Sequence, residues 1–314
     1  MQQLTSKGFA AAQRYLSQFG RPLDQERFHL FFAGGSAQAV LAELAKFQNE
    51  DGGFGHALEP DMRAAASSAL TTEQGCAVLR AISAASSEPV VQGVIRYFVE
   101  TYDADRGVWP IITARVEEAP HAPWWSYADS EQNFRGARIN PTASIVGYLH
   151  DYPELAPEAW LAEVTDLVVA RLEAAPDAME MHDLQCCVVL AAAKQLPADL
   201  RRRVQEKLRR AALATIEPDP QKWSGYGLPP LELVSGPDSF LAGSIDQGLI
   251  DLNLDFVIEQ QLPDGSWPVP WNWAFVDEAA WAQAERDWKG RMIVDKLRVL
   301  HAFGRIELHA PSTA

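Results

Sequence analysis

Residues 46–63 read KFQNEDGGFGHALEPDMR. Gln48, three glycines, Phe54 and four acidic residues share these eighteen positions. The stretch ends an amphipathic run, SAQAVLAELAKFQ (36–48), in which Ala37, Val40, Leu41, Leu44 and Phe47 recur at helical spacing. It is too polar for core and too patterned for an arbitrary loop. Its frame, Q-x3-G-x-F, returns near the other end of the chain in QLPDGSW (261–267), with Gln261, Gly265 and Trp267. DADRGVW (103–109) holds the same frame with Asp103 in place of the glutamine, followed by Gly107 and Trp109. QKWSGYG (221–227) keeps Gln221 and Gly225 and lacks the final aromatic. The first two copies in the chain, at 48 and 103, lie 55 residues apart. From 103 to 261 is 158 residues, close to three such steps. A unit of about fifty residues fits one helical hairpin and its loop.

The residue types say what the frame does. Each strong copy ends a helix at its glutamine. The glycine lets the chain turn through positive φ, where a side chain would clash. The aromatic folds back over the helix end, and the glutamine amide lies against that ring and bonds backbone groups the helix leaves over. The motif therefore reads first as a clamp between successive helices.

The rest of the chain is helical in pattern. SSALTTEQGCAVLRAI, PVVQGVIRYFVETY (opened by Pro89) and NPTASIVGYLHDY (Asn140 as N-cap, Pro141 in the first turn) are followed by PEAWLAEVTDLVVARLEAA and MHDLQCCVVLAAAKQL. PADLRRRVQEKLRRAALATI, SIDQGLIDLNLDFVIEQQL and GRMIVDKLRVLHAFGRI complete the series. Some are charged along one face and belong outside, and MHDLQCCVVLAAAKQL is apolar nearly all round and belongs inside. The expectation is an all-α chain with outer and inner helices in two concentric rings. It forms a single domain over 1–314, with N-terminal helices in 1–35 closing the ring and the repeats in 36–306.

Q-x3-G-x-[FW] repeats between helical hairpins resemble the terpenoid cyclase and protein prenyltransferase superfamily. That resemblance implies an α/α toroid of about five or six helical hairpins and an aromatic-lined central cavity. The catalytic motifs of that superfamily are absent. No D-x-D-D proton donor, no D-D-x-x-D/E cluster and no Asp two residues ahead of a Cys occurs. H-E-x-x-H, G-x-x-x-x-G-K-[ST] and G-x-S-x-G are also missing. The chain thus reads as a diverged single-toroid relative, about half the length of double-toroid cyclases.

Composition narrows the partners. A net charge of −15 disfavours nucleic acid and anionic membranes, both of which need a basic surface. No apolar run reaches the ~20 residues of a membrane span. The N-terminus has no signal-peptide pattern. Cys76, Cys186 and Cys187 fit no zinc or disulfide spacing and read as buried free thiols. The expectation is a cytoplasmic protein acting on a small molecule, with no metal and no cofactor. The sequence is silent on oligomeric state.

Candidate site residues come from loops that lead into the inner helices. The opening stretch supplies His56, Glu59, Asp61 and Arg63. The long segment 110–140 supplies Trp124, Trp125, Tyr127, Arg135 and Arg138. MHDLQ supplies His182 and Asp183 at a helix start. Trp109, Trp223, Tyr226, Trp267, Trp271 and Trp273 supply aromatic faces. Glu59, Asp61, Asp183 and His182 are the acid–base candidates, and His56, Arg63, Trp109, Trp124, Trp125, Tyr127, Trp223, Tyr226, Trp271 and Trp273 the substrate-binding ones. Glu59 and Asp61 equally suit the positive end of the next helix, and His182 with Asp183 equally suit a first-turn cap. Asp295 stands four residues after Arg291 and fits an ion pair. The resulting expectation is carboxylate acid–base chemistry on an apolar, isoprenoid-like substrate. The alternatives are a carbohydrate-active enzyme, a glycosidase or polysaccharide lyase with aromatic platforms and paired carboxylates, and a non-catalytic scaffold.

Overall fold

The computed structural model describes residues 1–130, 134 and 138–307, so Arg135 lies outside the described residues. Among the described residues the chain is all-helical, with no strand and four isolated bridges. The α-helices are α1 (Ser6–Phe19), α2 (Pro22–Phe32), α3 (Ala37–Ala45), α4 (Ala69–Ala81), α5 (Pro89–Thr101) and α6 (Thr142–Leu149). They continue as α7 (Glu158–Ala174), α8 (Met181–Ala191), α9 (Ala198–Thr215), α10 (Gln247–Glu259) and α11 (Glu278–Ala302). No helix among the described residues is long and apolar enough to cross a membrane.

The chain divides into two compact units. One comprises Met1–Ser36, Thr215–Asn272 and Ala282–Ala314, and the other Ala37–Ala214 with Trp273–Trp281. In the second unit all eight residues of α6 are buried, and α6 packs on α4, α7 and α8. Helix α8 buries Leu184, Cys187, Leu190 and Ala191. The charged helix α9 buries one side only, through Val204, Lys207, Leu208, Ala211 and Ala212. In the first unit α1 packs on α2, and Thr5 and Asp246 cap α1 and α10 by accepting from the N–H groups of Gly8 (3.1 Å) and Leu249 (2.9 Å).

The repeated frame builds turns of one kind. Gly52 and Gly265 take φ of +89° and +93°. A Cβ at either would stand 2.1 Å from Gly93 O or 2.2 Å from the Ala11 carbonyl carbon, so both positive φ and close approach demand glycine. Gln48 Nε2 donates to the carbonyls of Gly52 and Val90, both at 2.9 Å. Gln261 Nε2 donates to Gly265 O at 3.1 Å and Gly8 O at 3.0 Å. Each amide thus ties its turn to the first turn of another helix, α5 or α1, rather than to the end of its own. A helical carbonyl has a second lone pair free for such a donor.

The tryptophans close the preceding helix. Trp109 Nε1 donates to Phe98 O of α5 (2.8 Å) and Trp267 Nε1 to Val257 O of α10 (2.7 Å). Phe54 has no such donor and instead gives its backbone N–H to Thr72 Oγ1 of α4 at 2.9 Å. The faint copy at 221–227 builds no clamp. Gln221 is exposed, Gly225 has no positive φ, and Trp223 Nε1 turns to Glu217 O at 2.7 Å.

Two boundaries differ from the sequence reading. α11 begins at Glu278, twelve residues before Gly290. EAAWAQAERDWK carries no helix breaker and buries Trp281, Ala284 and Asp287 at helical spacing. Asn140 is not the cap of α6, which starts at Thr142 without a side-chain cap. Its Oδ1 instead meets Cys186 Sγ at 3.6 Å.

Candidate functional site

Beyond the clamp, residues 55–66 double back on themselves. His56 N–H donates to Ala64 O at 3.0 Å, and Gly55 lies so close to Ala65 O that a Cβ would stand 2.0 Å from it. His56 and Ala57 sit at φ of 54° and 60°. Left-handed backbone at non-glycine residues costs about 1–3 kcal/mol each and persists where the surroundings over-determine it. Glu59 and Asp61 at the apex are each only 2% exposed. They are enclosed carboxyls rather than open loop acids.

A second segment lies along this loop. Ala122 N–H donates to Asp61 O (2.9 Å), Arg63 N–H to Pro120 O (3.1 Å), and Met62 bridges to His121. Trp124, Trp125 and Tyr127 therefore share a region with Glu59, Asp61 and Arg63. Trp124 and Tyr127 are 37% and 45% exposed. Trp125 stacks on Phe134 with centroids 5.7 Å apart, against a cluster containing Met62, Ile111 and Val116. Glu117, passed over in the sequence, organises this segment. It accepts from Tyr127 N–H at 2.6 Å and lies 3.1 Å from His121 Nε2. The His121 hydrogen bond, then that of Tyr127, holds its carboxyl below the ordinary value. Trp273 reaches the loop from the far end of the sequence, its indole N–H donating to Asp61 Oδ1 at 2.6 Å.

A second group of polar residues gathers where α4, α6 and α8 meet. Glu180, outside the helix, caps α8 by accepting from the N–H groups of His182 (2.8 Å) and Asp183 (3.0 Å). His182 Nδ1 sits 2.7 Å from the same carboxylate. Asp183 is half-buried, and its Oδ1 accepts from Asn140 N–H at 2.9 Å. Burial pushes the Asp183 carboxyl above its ordinary value, against the pull of the Asn140 bond. Glu73 of α4 lies within charge reach of Cys76, of Tyr148 on α6 and of Cys186 on α8. Burial first, and Glu73 next, raise the thiols of Cys76 and Cys186, so neither is poised as a nucleophile. Glu73 was legible only as an ordinary polar position of an amphipathic helix.

The remaining candidates stand apart from these groups. His56 is exposed and engages Asn49 Oδ1 at 2.8 Å. Trp109 is 1% exposed, its ring packed among Phe98, Tyr102 and Trp160, so it is spent on the clamp. Trp223 is 5% exposed and packs edge-on against Phe256. Trp271 sits perpendicular to Trp288. Trp223, Tyr226 and Trp271 belong to the first unit, the carboxyls above to the second. Tyr226 is 80% exposed. Among the described residues no group of three His, Cys, Asp or Glu side chains is placed to hold a metal ion.

No protein-family model, curated protein or solved structure matches this chain.

Proposed function

We propose that the chain is an α/α-toroid protein of the terpenoid cyclase and prenyltransferase type. It takes a small apolar substrate and acts on it by carboxylate acid–base chemistry. The two glutamine clamps support the fold, since each ties its turn to the first turn of another helix through the same pair of amide bonds. The observation that carries the chemistry is the Asp183 carboxyl, raised by burial at the start of α8, with Glu73 of α4 and Asp183 both within charge reach of Cys186. A carboxyl that burial makes hold its proton more firmly can donate it, and a second carboxyl can take one back. In this reading Asp183 is the acid and Glu73 the base. The acid is fully armed below its pKa and is lost as pH rises through that raised value. Tyr148 and the half-open side of α8 offer the apolar surroundings.

The test is a substrate screen followed by two variants. Isoprenoid alcohols and their diphosphates are expected to bind and turn over, and oligosaccharides to do neither. Asp183→Asn should abolish turnover with melting temperature preserved, and Glu73→Gln should lower kcat more than KM. Activity unaffected in Asp183→Asn sinks the assignment.

A second reading, action on a carbohydrate, is favoured by one specific feature. The exposed rings of Trp124 and Tyr127 lie on the segment that runs along Glu59–Arg63. Aromatic faces beside carboxyls suit a sugar ring. Binding of an oligosaccharide that is lost in Trp124→Ala would select it.

A further inference from the structure

A separate set of charged residues lies within the first unit, on one face of α11. Trp288, Arg291, Asp295 and Arg298 follow at helical spacing and so line one stripe. Asp295 is the only carboxylate of that stripe. Arg27 of α2 donates from Nη2 to Asp295 Oδ1 at 2.5 Å, and Arg291 Nε stands 3.6 Å from Oδ2. Arg298 lies with its guanidinium 4.1 Å from the centre of the Phe31 ring, and Arg291 5.1 Å from that of Trp288. Lys296 flanks the stripe. Three guanidiniums, those of Arg27, Arg291 and Arg298, thus act on Asp295, while the nearby Asp24 is already bonded by both Arg21 and Arg27 and the charge of Glu232 acts on Lys296.

One of these cations, Arg298, has no carboxylate of its own and shares Asp295 with Arg27 and Arg291. Among the described residues neither Arg298 nor Lys296 makes an ion pair or a hydrogen bond. Burial lowers both from their ordinary values. Burial also weighs most on Asp295, yet the guanidiniums of Arg27, Arg291 and Arg298 keep it low, and 44% of its side-chain surface is open. A group crowded by protein and still reached by water stands on the wall of a recess. A surplus of cations there costs desolvation and mutual repulsion. It runs against the composition of a chain carrying −15. Unpaired guanidinium next to an aromatic face is the arrangement that takes an oxyanion bidentately, with a flat or apolar body against the ring.

We propose that this recess binds a doubly charged oxyanion, a phosphate ester or a dicarboxylate, with its head between Arg291 and Arg298 and its body against Phe31 and Trp288. The proposal stands on the first unit alone and does not depend on the role given to Asp183.

The test is a thermal-shift and calorimetric titration of the full chain with phenyl phosphate, inorganic phosphate and succinate at constant ionic strength, with chloride as the control salt. At least one oxyanion should bind saturably and raise the melting temperature, and chloride should not. Phosphate against succinate separates the two sources of the charge, and phenyl phosphate against inorganic phosphate reports the aromatic wall. Arg298→Gln should weaken binding about tenfold or more. Without ligand the same variant should melt no lower than the native chain, because it removes repulsion. Arg298→Lys should recover part of the affinity. Arg202→Gln, on an exposed face of α9, should change nothing. Absence of saturable binding by all three probes, or equal binding by Arg298→Gln, overturns the proposal. A large loss of stability in Arg298→Gln without ligand also overturns it, since the guanidinium would then be a structural support.

Discussion

The indole N–H of Trp273 donates to Asp61 Oδ1 at 2.6 Å across 212 residues of sequence, with both side chains buried. The bond carries the short segment Trp273–Trp281 into the second unit and fixes one oxygen of an enclosed carboxyl. Trp281 packs edge-on against Trp273 at 5.7 Å and backs it. Replacing Trp273 by Phe keeps most of the apolar bulk and removes the donor. The expected cost is about 1–3 kcal/mol, the range for a buried acceptor that loses its partner. Urea denaturation of Trp273→Phe, Asp61→Asn and the double variant checks this. A purely additive cycle would show that the bond contributes nothing.

Glycines of the clamp are expected to separate into two classes. Gly52→Ala and Gly265→Ala place a Cβ about 2 Å from backbone atoms of α5 or α1 at positive φ. They should cost well over the ~1 kcal/mol that left-handed backbone alone costs an alanine. Gly34 has φ of +69° with nothing within 4 Å. Gly34→Ala should stay near that lower figure. Equal melting temperatures for the three variants would contradict the close-approach argument.

Arg80 gathers three helix ends. Its Nε donates to Asp151 Oδ2 at 2.6 Å, Nη1 to Val189 O of α8 and Nη2 to Gly147 O of α6, both at 2.9 Å. Its guanidinium also covers the Tyr148 ring at 4.3 Å. Arg80→Met leaves the buried Asp151 carboxylate with the Lys194 N–H but without its cation, takes a donor from two carbonyls, and should destabilise by about 3–5 kcal/mol. Arg80→Lys keeps the charge and loses the fork, so it should recover only part. Full recovery by lysine in a thermal melt would reduce the residue to a point charge.

His150 sets a pH dependence. Thr165 Oγ1 gives its own proton to Leu161 O (2.6 Å), so the contact of 2.8 Å with His150 Nε2 makes that nitrogen the donor. Nδ1 is buried without a partner. Burial lowers the imidazole below its ordinary value, so the folded chain holds it neutral. Below about pH 6.5 the unfolded chain takes up a proton that the folded chain refuses. Stability from this group is therefore present above that pH and declines as pH falls towards the folded-state value. Between about pH 7.5 and about pH 5.5 the native chain should lose more stability than His150→Gln. Identical losses in the two would show that other groups carry the acid sensitivity.

The sequence by itself determined that this chain is all-helical and where its sharpest turns fall. Those features are local. Helical periodicity, and glycine followed by an aromatic at fixed spacing, act within one turn of chain, so 48–54 and 261–267 were legible as clamps. The partners were not. Val90 and Gly8 receive the glutamine amides only because α5 and α1 pack there, and carbonyls carry no sequence signal. The site shows the same division. Glu59, Asp61 and Asp183 stood out as acids beside helix starts, but whether an acid is open or enclosed depends on what folds over it. Trp273, 212 residues away from Asp61, is one such cover. Trp109 looked like Trp124 in sequence, yet one is packed into a clamp and the other is exposed. Glu73, Glu117 and Arg80 occupy ordinary polar positions, and only packing places their charges against other helices and loops. Burial and charge proximity are sums over neighbours distant in sequence, and those neighbours exist only once the helices have packed.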